Sequence, residues 1–142
     1  MCMQLSDALD FARDKRNGML LALKSDGRPQ SSNIAYAVGD DDVIRVSVTD
    51  GRAKTANLRR DPRASLHVNR DDFWAYAVVE ADVDLSPVAA EPNDATVDRL
   101  VEYYRAVAGE HDDWDEYRAA MVSDRRLVLT LTPTHAYGML QR

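Results

Sequence analysis

The residues best suited to chemistry form a basic run from Arg52 to Arg63. It reads Arg-Ala-Lys-Thr-Ala-Asn-Leu-Arg-Arg-Asp-Pro-Arg, five bases against one acid. The run follows a loop containing Gly51 and has the composition of a helix. The first turn of such a helix presents unpaired backbone N–H groups beside cationic side chains. A phosphate group suits that combination, because it accepts several charge-assisted hydrogen bonds at once.

Three side chains of the run are candidate phosphate ligands. Arg52 and Lys54 are two residues apart, so on a regular helix they would diverge, but at the entry to the helix both can converge on one anion. Asn57 lies one turn after Lys54 and offers an amide donor. The alternative is a solvated basic helix face without a ligand, and the residue pattern alone leaves both interpretations open.

The elements that position this run follow from hydrophobic periodicity and turn signals. Helices are predicted over 6–16, with Ser6 as the N-cap, and over 52–60, 94–107 and 114–121. Strands are predicted over 19–23, 30–38, 43–48, 63–69, 74–85, 127–131 and 136–140. Because most strands follow one another without a crossover helix, the sheet should be antiparallel, and closure into a barrel would remove exposed edges.

Composition limits the class of protein. The 142 residues suit one domain over 1–142, and 45% hydrophobic residues suffice for a core. A net charge of −6 argues against partners such as nucleic acid or a membrane surface. No apolar run reaches the roughly 20 residues that cross a bilayer, and no secretory signal is visible, so a cytoplasmic protein is expected. The single Cys2 excludes an intramolecular disulfide framework and a cysteine-rich zinc module.

Other motifs point to chemistry less strongly. The sequence contains no Walker motif, dinucleotide fingerprint, zinc-protease motif or nucleophile elbow. The acidic segment 110–113 lacks the glycine and the ligand spacing of a calcium loop, so no metal site is predicted. Trp74 and Tyr76 are expected on one face of a strand, where such a pair is more often a core or dimer contact.

Three motifs, in their order and spacing, resemble the flavin/deazaflavin oxidoreductase superfamily. They are Gly27-Arg28-Pro29-Gln30-Ser31-Ser32-Asn33, the basic run 52–63, and Trp74-Ala75-Tyr76-Ala77. More narrowly, the chain resembles the B group, the actinobacterial coenzyme F420-dependent reductases, often filed as pyridoxamine 5'-phosphate oxidase-like proteins. The likeness extends through 109–114 and 123–126, so it covers nearly the whole chain.

The resemblance implies a mainly β fold with peripheral helices: a six- to seven-stranded antiparallel split β-barrel of the FMN-binding type. It also implies a homodimer with two equivalent cofactor clefts between the subunits. The residues that it assigns to the cofactor phosphate are Arg52, Lys54 and Asn57, with backbone contacts at Ala53 and Thr55. Those that it assigns to the cofactor ring are Gln30, Ser32, Asn33 and Ser47, joined by Trp74 and Tyr76 from the other subunit.

The implied activity is hydride transfer from reduced coenzyme F420 to a conjugated small-molecule electron acceptor. Such a site needs no catalytic triad, because the cofactor supplies the hydride, and the candidate proton donors are Tyr76 and water. F420 and FMN both carry a phosphate on a ribityl-type chain, so an FMN-dependent pyridoxamine 5'-phosphate oxidase-like enzyme is an alternative, as is a non-catalytic F420 carrier. F420 adds a tail of carboxylates, for which the candidate ligands are Arg28, Arg59, Arg60 and Arg63.

Overall fold

Seven strands form one antiparallel sheet in the order β2-β1-β5-β6-β7-β4-β3. The computed structural model describes residues 3–140, so Cys2 lies outside the described residues. The strands are β1 (Asn17–Leu23), β2 (Pro29–Ala35), β3 (Ala37–Val38), β4 (Ile44–Thr49), β5 (Arg63–Asn69), β6 (Tyr76–Leu85) and β7 (Arg126–Met139). The helices are α1 (Leu5–Arg13), α2 (Ala53–Arg60), α3 (Ala95–Ala108) and α4 (Trp114–Ser123). The sheet curls into a half-barrel, which confirms the predicted mainly β split barrel.

The concave face of the sheet holds the main core. Along β4, Ile44, Val46 and Val48 are buried while the residues between them are half-buried, as expected for a strand with one face in the core. The helix α1 packs against this core through Ala8, Leu9 and Ala12. The side chains between these core residues of β4 therefore point away from the main core, and Ser47 is one of them.

A second, smaller core lies on the opposite face of β7. There α3 and α4 pack around Val128, whose neighbours Leu127 and Leu129 point into the main core. Asp94 and Asp113 cap the two helices by accepting hydrogen bonds from backbone N–H groups of the first turn. The Tyr117 hydroxyl donates to the Leu100 carbonyl at 2.9 Å and ties α4 to α3. These two helices form one wall of the site described below.

The barrel is open along one line. Strands β2 and β4 lie near opposite ends of the strand order, and the curl of the sheet brings them into contact without pairing them in the sheet. We call this unpaired line the seam. It places side chains of β2 opposite side chains of β4, and α2 begins a few residues after β4 ends.

Helix α1 begins earlier than predicted. It starts at Leu5 with Gln4 in the N-cap position, and the Gln4 side chain makes no capping hydrogen bond. Ser6 therefore lies inside the first turn, and its predicted N-cap role is wrong.

Three strand predictions also need correction. The two predicted C-terminal strands are one strand, because a bulge at Thr134 lets the pairing with β6 continue past Pro133. The predicted strand 30–38 is divided at Tyr36, a fully buried residue whose hydroxyl donates to the Ala12 carbonyl at 2.7 Å. Strand β6 starts at Tyr76 rather than at residue 74.

Candidate functional site

A groove of about 350 Å³ runs along the seam, between β2 and β4 on one side and α3 and α4 on the other. We call it the seam groove. Its polar and charged lining residues are Asn33, Ser47, Lys54 and Arg126, and its aromatic wall consists of Tyr103, Tyr104 and Tyr117. No carboxylate is among the described residues that line it. Three predicted site residues, Asn33, Ser47 and Lys54, are thus brought together.

The positive charges at one end of the groove face each other without a counterion. Lys54 lies in the first turn of α2 and is half-buried. Burial lowers the pKa of Lys54, and the positive charges of Arg52 and Arg126 lower it further. Within residues 3–140, neither Arg52 nor Lys54 has a hydrogen-bond or ion-pair partner for its side chain. Such repulsion is relieved when an anion binds between the cations.

Arg126 is a site residue that the sequence did not reveal. It is the first residue of β7 and pairs with Thr49, the last residue of β4. Its Nη1 lies 3.4 Å from the Ser47 Oγ and 3.5 Å from the Ser47 carbonyl, both long contacts. Its buried Nε has no partner, alone among the buried side-chain nitrogens and oxygens of residues 3–140. The signal for Arg126 is its pairing with the strand that precedes the basic run, and that pairing is not visible in the sequence.

Internal hydrogen bonds stabilise the turn from β4 into α2. The Thr55 Oγ1 donates to the Thr49 carbonyl at 2.8 Å, and the Thr55 backbone N–H donates to the Arg52 carbonyl at 3.1 Å. Ala53 opens the helix, and an N–H at that position has no intrahelical acceptor. The backbone at Ala53 is therefore better placed than that at Thr55 to meet an anion.

A single carboxylate forms ion pairs with two neighbouring arginines. Asp50 lies between β4 and α2 and forms ion pairs with Arg59 at 2.7 Å and with Arg125 at 3.0 Å. Hydrogen bonds from these two guanidinium groups lower the pKa of Asp50. Near the groove, the cations without a carboxylate partner among the described residues are Arg52, Lys54 and Arg126.

Asn57, Gln30 and Ser32 form a hydrogen-bonded chain rather than an open donor set. The buried Asn57 donates through Nδ2 to the Gln30 Oε1 at 3.4 Å and accepts from Arg60 at 3.1 Å. Gln30 in turn donates to the Ser32 Oγ at 3.4 Å. These contacts join α2 to β2. The predicted role of Asn57 as a phosphate donor stays a prediction, since its amide is already engaged.

Trp74 and Tyr76 lie away from the seam groove, in the β5–β6 turn and at the start of β6. Tyr76 stacks on His67 with ring centroids 5.3 Å apart, and Trp74 sits in the β5–β6 turn with 66% of its surface exposed. A second groove of about 670 Å³, here called the outer groove, includes His67 and Phe73. The segment 33–35 of β2 lines both grooves and forms the ridge between them. Within one chain, neither Trp74 nor Tyr76 lines the seam groove.

The four arginines expected to bind a carboxylate tail differ in their surroundings. Arg59 pairs with Asp50, Arg63 pairs with Asp61 at 2.8 Å, and Arg60 donates to the Leu23 carbonyl at 2.6 Å. The Arg28 guanidinium has no partner among the described residues. Arg28 is thus the member of this set that is open to a ligand.

The acidic segment after α3 has structural roles. Glu110 pairs with Arg105 at 2.9 Å, and the His111 Nδ1 accepts a hydrogen bond from the Asp113 backbone N–H. Across residues 3–140, no three histidine, cysteine or acidic side chains are grouped closely enough to hold a metal ion. In the same part of the chain, no helix is both long and apolar enough to span a membrane.

Solved structures share the fold of the chain. A conserved hypothetical protein from Mycobacterium tuberculosis is 20% identical, with a TM-score of 0.75 over 99% of this chain and 86% of that one. An F420 reductase is 24% identical, with a TM-score of 0.63 over 86% of this chain and 89% of that one. A heme binding protein from Mycobacterium smegmatis is 21% identical, with a TM-score of 0.65 over 95% of this chain and 53% of that one. At such identities the likeness establishes the fold alone.

The family follows from the sequence match over the chain. Residues 5–140 match the model of the pyridoxamine 5'-phosphate oxidase family. The chain therefore belongs to this family, whose split-barrel fold agrees with the sheet described above.

Proposed function

We propose that this member of the pyridoxamine 5'-phosphate oxidase family is an oxidoreductase that binds coenzyme F420 and reduces a conjugated small molecule. The observation that carries the proposal is the pair of cations without a counterion, Arg52 and Lys54, at the entry to α2. The F420 reductase among the structures that share the fold supports the choice of cofactor.

The charge at this entry fits a phosphate group. A dianion between Arg52 and Lys54 would balance both charges and offset the repulsion that, together with burial as the larger cause, lowers the pKa of Lys54. Each charge-assisted hydrogen bond contributes about 1.5–3 kcal/mol. The ion pairs of Asp50 hold the turn in place before a ligand arrives, so less ordering is needed on binding.

The seam offers polar groups for a flat ring. Asn33 from β2 and Ser47 from β4 stand on its two sides, whereas Gln30 and Ser32 alternate with Asn33 and lie on the opposite face of β2. When bound, the reduced cofactor supplies the hydride, and the protein binds the ring, orients it and excludes water. Tyr76 or water is the proposed source of the proton.

We further propose that the protein works as a homodimer whose second copy covers the outer face of the sheet. Four large hydrophobic side chains lie exposed there: Phe73 at 78%, Trp74 at 66%, Tyr137 at 47% and Met139 at 51%. Clustered exposure of this kind is typical of an interaction surface. In the dimer, Trp74 and Tyr76 of one copy would complete the cofactor cleft of the other.

Cofactor titrations test the proposal. We expect the Kd of Lys54→Ala for F420 to rise about 10- to 150-fold, the equivalent of about 1.5–3 kcal/mol. Lys24→Ala is the matched control, because Lys24 is exposed and lies 3.8 Å from Asp26, away from the groove. An unchanged Kd in Lys54→Ala would refute the phosphate assignment.

Two further measurements separate the alternatives. Tighter binding of FMN than of F420 by the wild-type protein would identify an FMN enzyme. Oxidation of reduced F420, followed by its absorbance in the presence of quinones, tetrapyrroles and nitroaromatics, would identify a reductase. A protein that binds F420 but oxidises it with none of these acceptors would be a carrier.

A further inference from the structure

We infer that the tyrosine-lined part of the seam groove binds the electron acceptor and favours a planar, conjugated molecule that carries one anionic group held by Arg126. The assignment as electron acceptor rests on the proposed function. The binding of such a molecule can be measured without cofactor.

The guanidinium group of Arg126 has hydrogen-bonding capacity that an anion could satisfy. Its buried Nε has no partner, and its Nη1 has only the long contacts to Ser47. An unsatisfied buried nitrogen on a charged group costs free energy, which a ligand oxygen can recover. The adjacent Arg125 is a useful contrast, because it is exposed and already pairs with Asp50.

The other wall of the groove suits an aromatic ligand. The Tyr103 hydroxyl donates to the Ala35 carbonyl at 2.7 Å and the Tyr117 hydroxyl donates to the Leu100 carbonyl at 2.9 Å, so both rings are fixed. Tyr104 packs edge-on against Tyr117 with centroids 5.0 Å apart. Fixed rings of this kind pack well against a second flat ring system.

The volume and the charge of the seam groove favour an electron acceptor, rather than part of the cofactor, as the ligand of its tyrosine-lined part. The groove volume of about 350 Å³ lies at the lower end of the roughly 300–1,000 Å³ found for small-ligand sites, so a molecule in its tyrosine-lined part must be small. Arg52 and Lys54 together balance a phosphate dianion, so the charge of Arg126 still lacks a counterion. A flexible, hydrated carboxylate tail matches the exposed Arg28 better than a groove walled by tyrosine rings.

The position of the groove also fits this role. The segment 33–35 forms the ridge between the two grooves, and Asn33 and Ser47, proposed to contact the cofactor ring, also line the seam groove. A molecule in the seam groove would therefore border the ring that delivers the hydride.

Calorimetric titration without cofactor tests the inference directly. The probes are 2-naphthoate and its neutral isostere 2-naphthamide. We expect wild-type protein to bind the naphthoate at least tenfold more tightly, Arg126→Gln to lose that preference, and Arg125→Gln to keep it. If Arg126→Gln does not fold, Arg126→Lys takes its place in the test. It retains a charge and should keep part of the preference for the naphthoate. Equal affinities of the wild-type protein for the two probes would overturn the inference.

Cofactor binding and turnover separate this inference from the proposed function. Arg126→Gln should raise KM for an anionic quinone such as 1,2-naphthoquinone-4-sulfonate more than KM for menadione, and should change the Kd for F420 less than it changes the naphthoate preference. A tenfold rise in the F420 Kd with an unchanged naphthoate preference would make Arg126 a cofactor ligand and overturn the inference. Failure of the wild-type protein to bind F420, with the naphthoate preference intact, would overturn the proposed function and leave the anionic-ligand site standing.

Discussion

The cationic side chains near α2 divide into those with a counterion and those without. Arg59 and Arg125 share Asp50, and Arg63 is held by Asp61, so these arginines are bound within the protein. Arg52 and Lys54 have no such partner among residues 3–140. Arg52 and Lys54 therefore place positive charge without a counterion at one end of the seam groove, where it can act on a ligand.

The lowered pKa of Lys54 predicts a pH dependence of F420 binding. Phosphate binds the protonated amine, so the Kd should rise as the pH passes the lowered pKa, at a pH below that at which an exposed lysine titrates. In Lys54→Arg the charge persists at all accessible pH values, and the alkaline weakening should disappear. Fluorescence titrations of F420 between pH 7 and 10 measure both effects. An identical alkaline weakening in the two proteins would contradict the role of Lys54.

Single residues also show what the sequence could reveal about the site. Arg52 and Lys54 were predicted because they stand in one contiguous run at the entry to a helix. Arg126 was not, because its place beside them depends on the pairing of β7 with β4, whose paired residues Arg126 and Thr49 lie far apart in the chain. The internal hydrogen bonds of Asn57 were equally invisible, since they depend on how α2 packs against β2.

At the scale of elements, the β6–β7 pair determines where Tyr76 lies. Tyr76 pairs with Met139, and the neighbouring Gly138 has a φ of +147°. A Cβ at Gly138 would collide with the Tyr76 carbonyl oxygen and lie 2.9 Å from the Ala77 Cα. Glycine is thus required at this point both by conformation and by space.

Gly138→Ala should destabilise the protein by about 2 kcal/mol or more, because backbone strain and overpacking add. Urea unfolding measures the change. Gly51→Ala is the control, since a Cβ at Gly51 meets nothing within 4 Å. Equal stability of the two variants would show that the β6–β7 contact relaxes without cost.

The packing of α3 on α4 predicts an alkaline effect. Burial raises the pKa of Tyr117 to about 12, from an ordinary value of 10.0. Because the folded-state value is the higher one, this group stabilises the fold fully below pH 10, and its contribution is lost by up to about 1.4 kcal/mol per pH unit above that.

Tyr117→Phe should therefore be less stable at neutral pH, by about 1 kcal/mol for the lost hydrogen bond to Leu100. Its stability should fall less steeply than that of the wild-type protein between pH 10 and 12. Urea unfolding at several alkaline pH values provides the comparison. Parallel curves for the two proteins would show that Tyr117 is not the titrating group.

At the scale of the whole molecule, the exposed outer face predicts self-association. Light scattering should give twice the chain mass of 15.9 kDa. Tyr137→Glu places a charge on the outer face and should yield monomers that bind F420 more weakly, because the partner's aromatic residues are then missing. Ala119→Glu adds the same charge to the exposed side of α4 and should remain dimeric. A monomeric wild-type protein with full F420 affinity would exclude the shared cleft.

The fold was predictable in outline because its signals are local. Alternating burial in β4 and the Asp-Pro stop after α2 follow from residue types. The continuation of β7 past Pro133 was not predictable, because it depends on a bulge that forms only against β6. The strand order was likewise beyond a single sequence, since pairs such as β1 with β5 join distant segments.

A molecule bound at the seam between β2 and β4 should stabilise the sheet. Strand β2 is hydrogen-bonded on one side only, to β1, so it is the long strand with the least support in the sheet. A molecule that contacts Asn33 on β2 and Ser47 on β4 would bridge two strands that no backbone hydrogen bonds pair, and would link the two ends of the sheet. Melting temperature should then climb with ligand concentration, and amide exchange along β2 should slow the most.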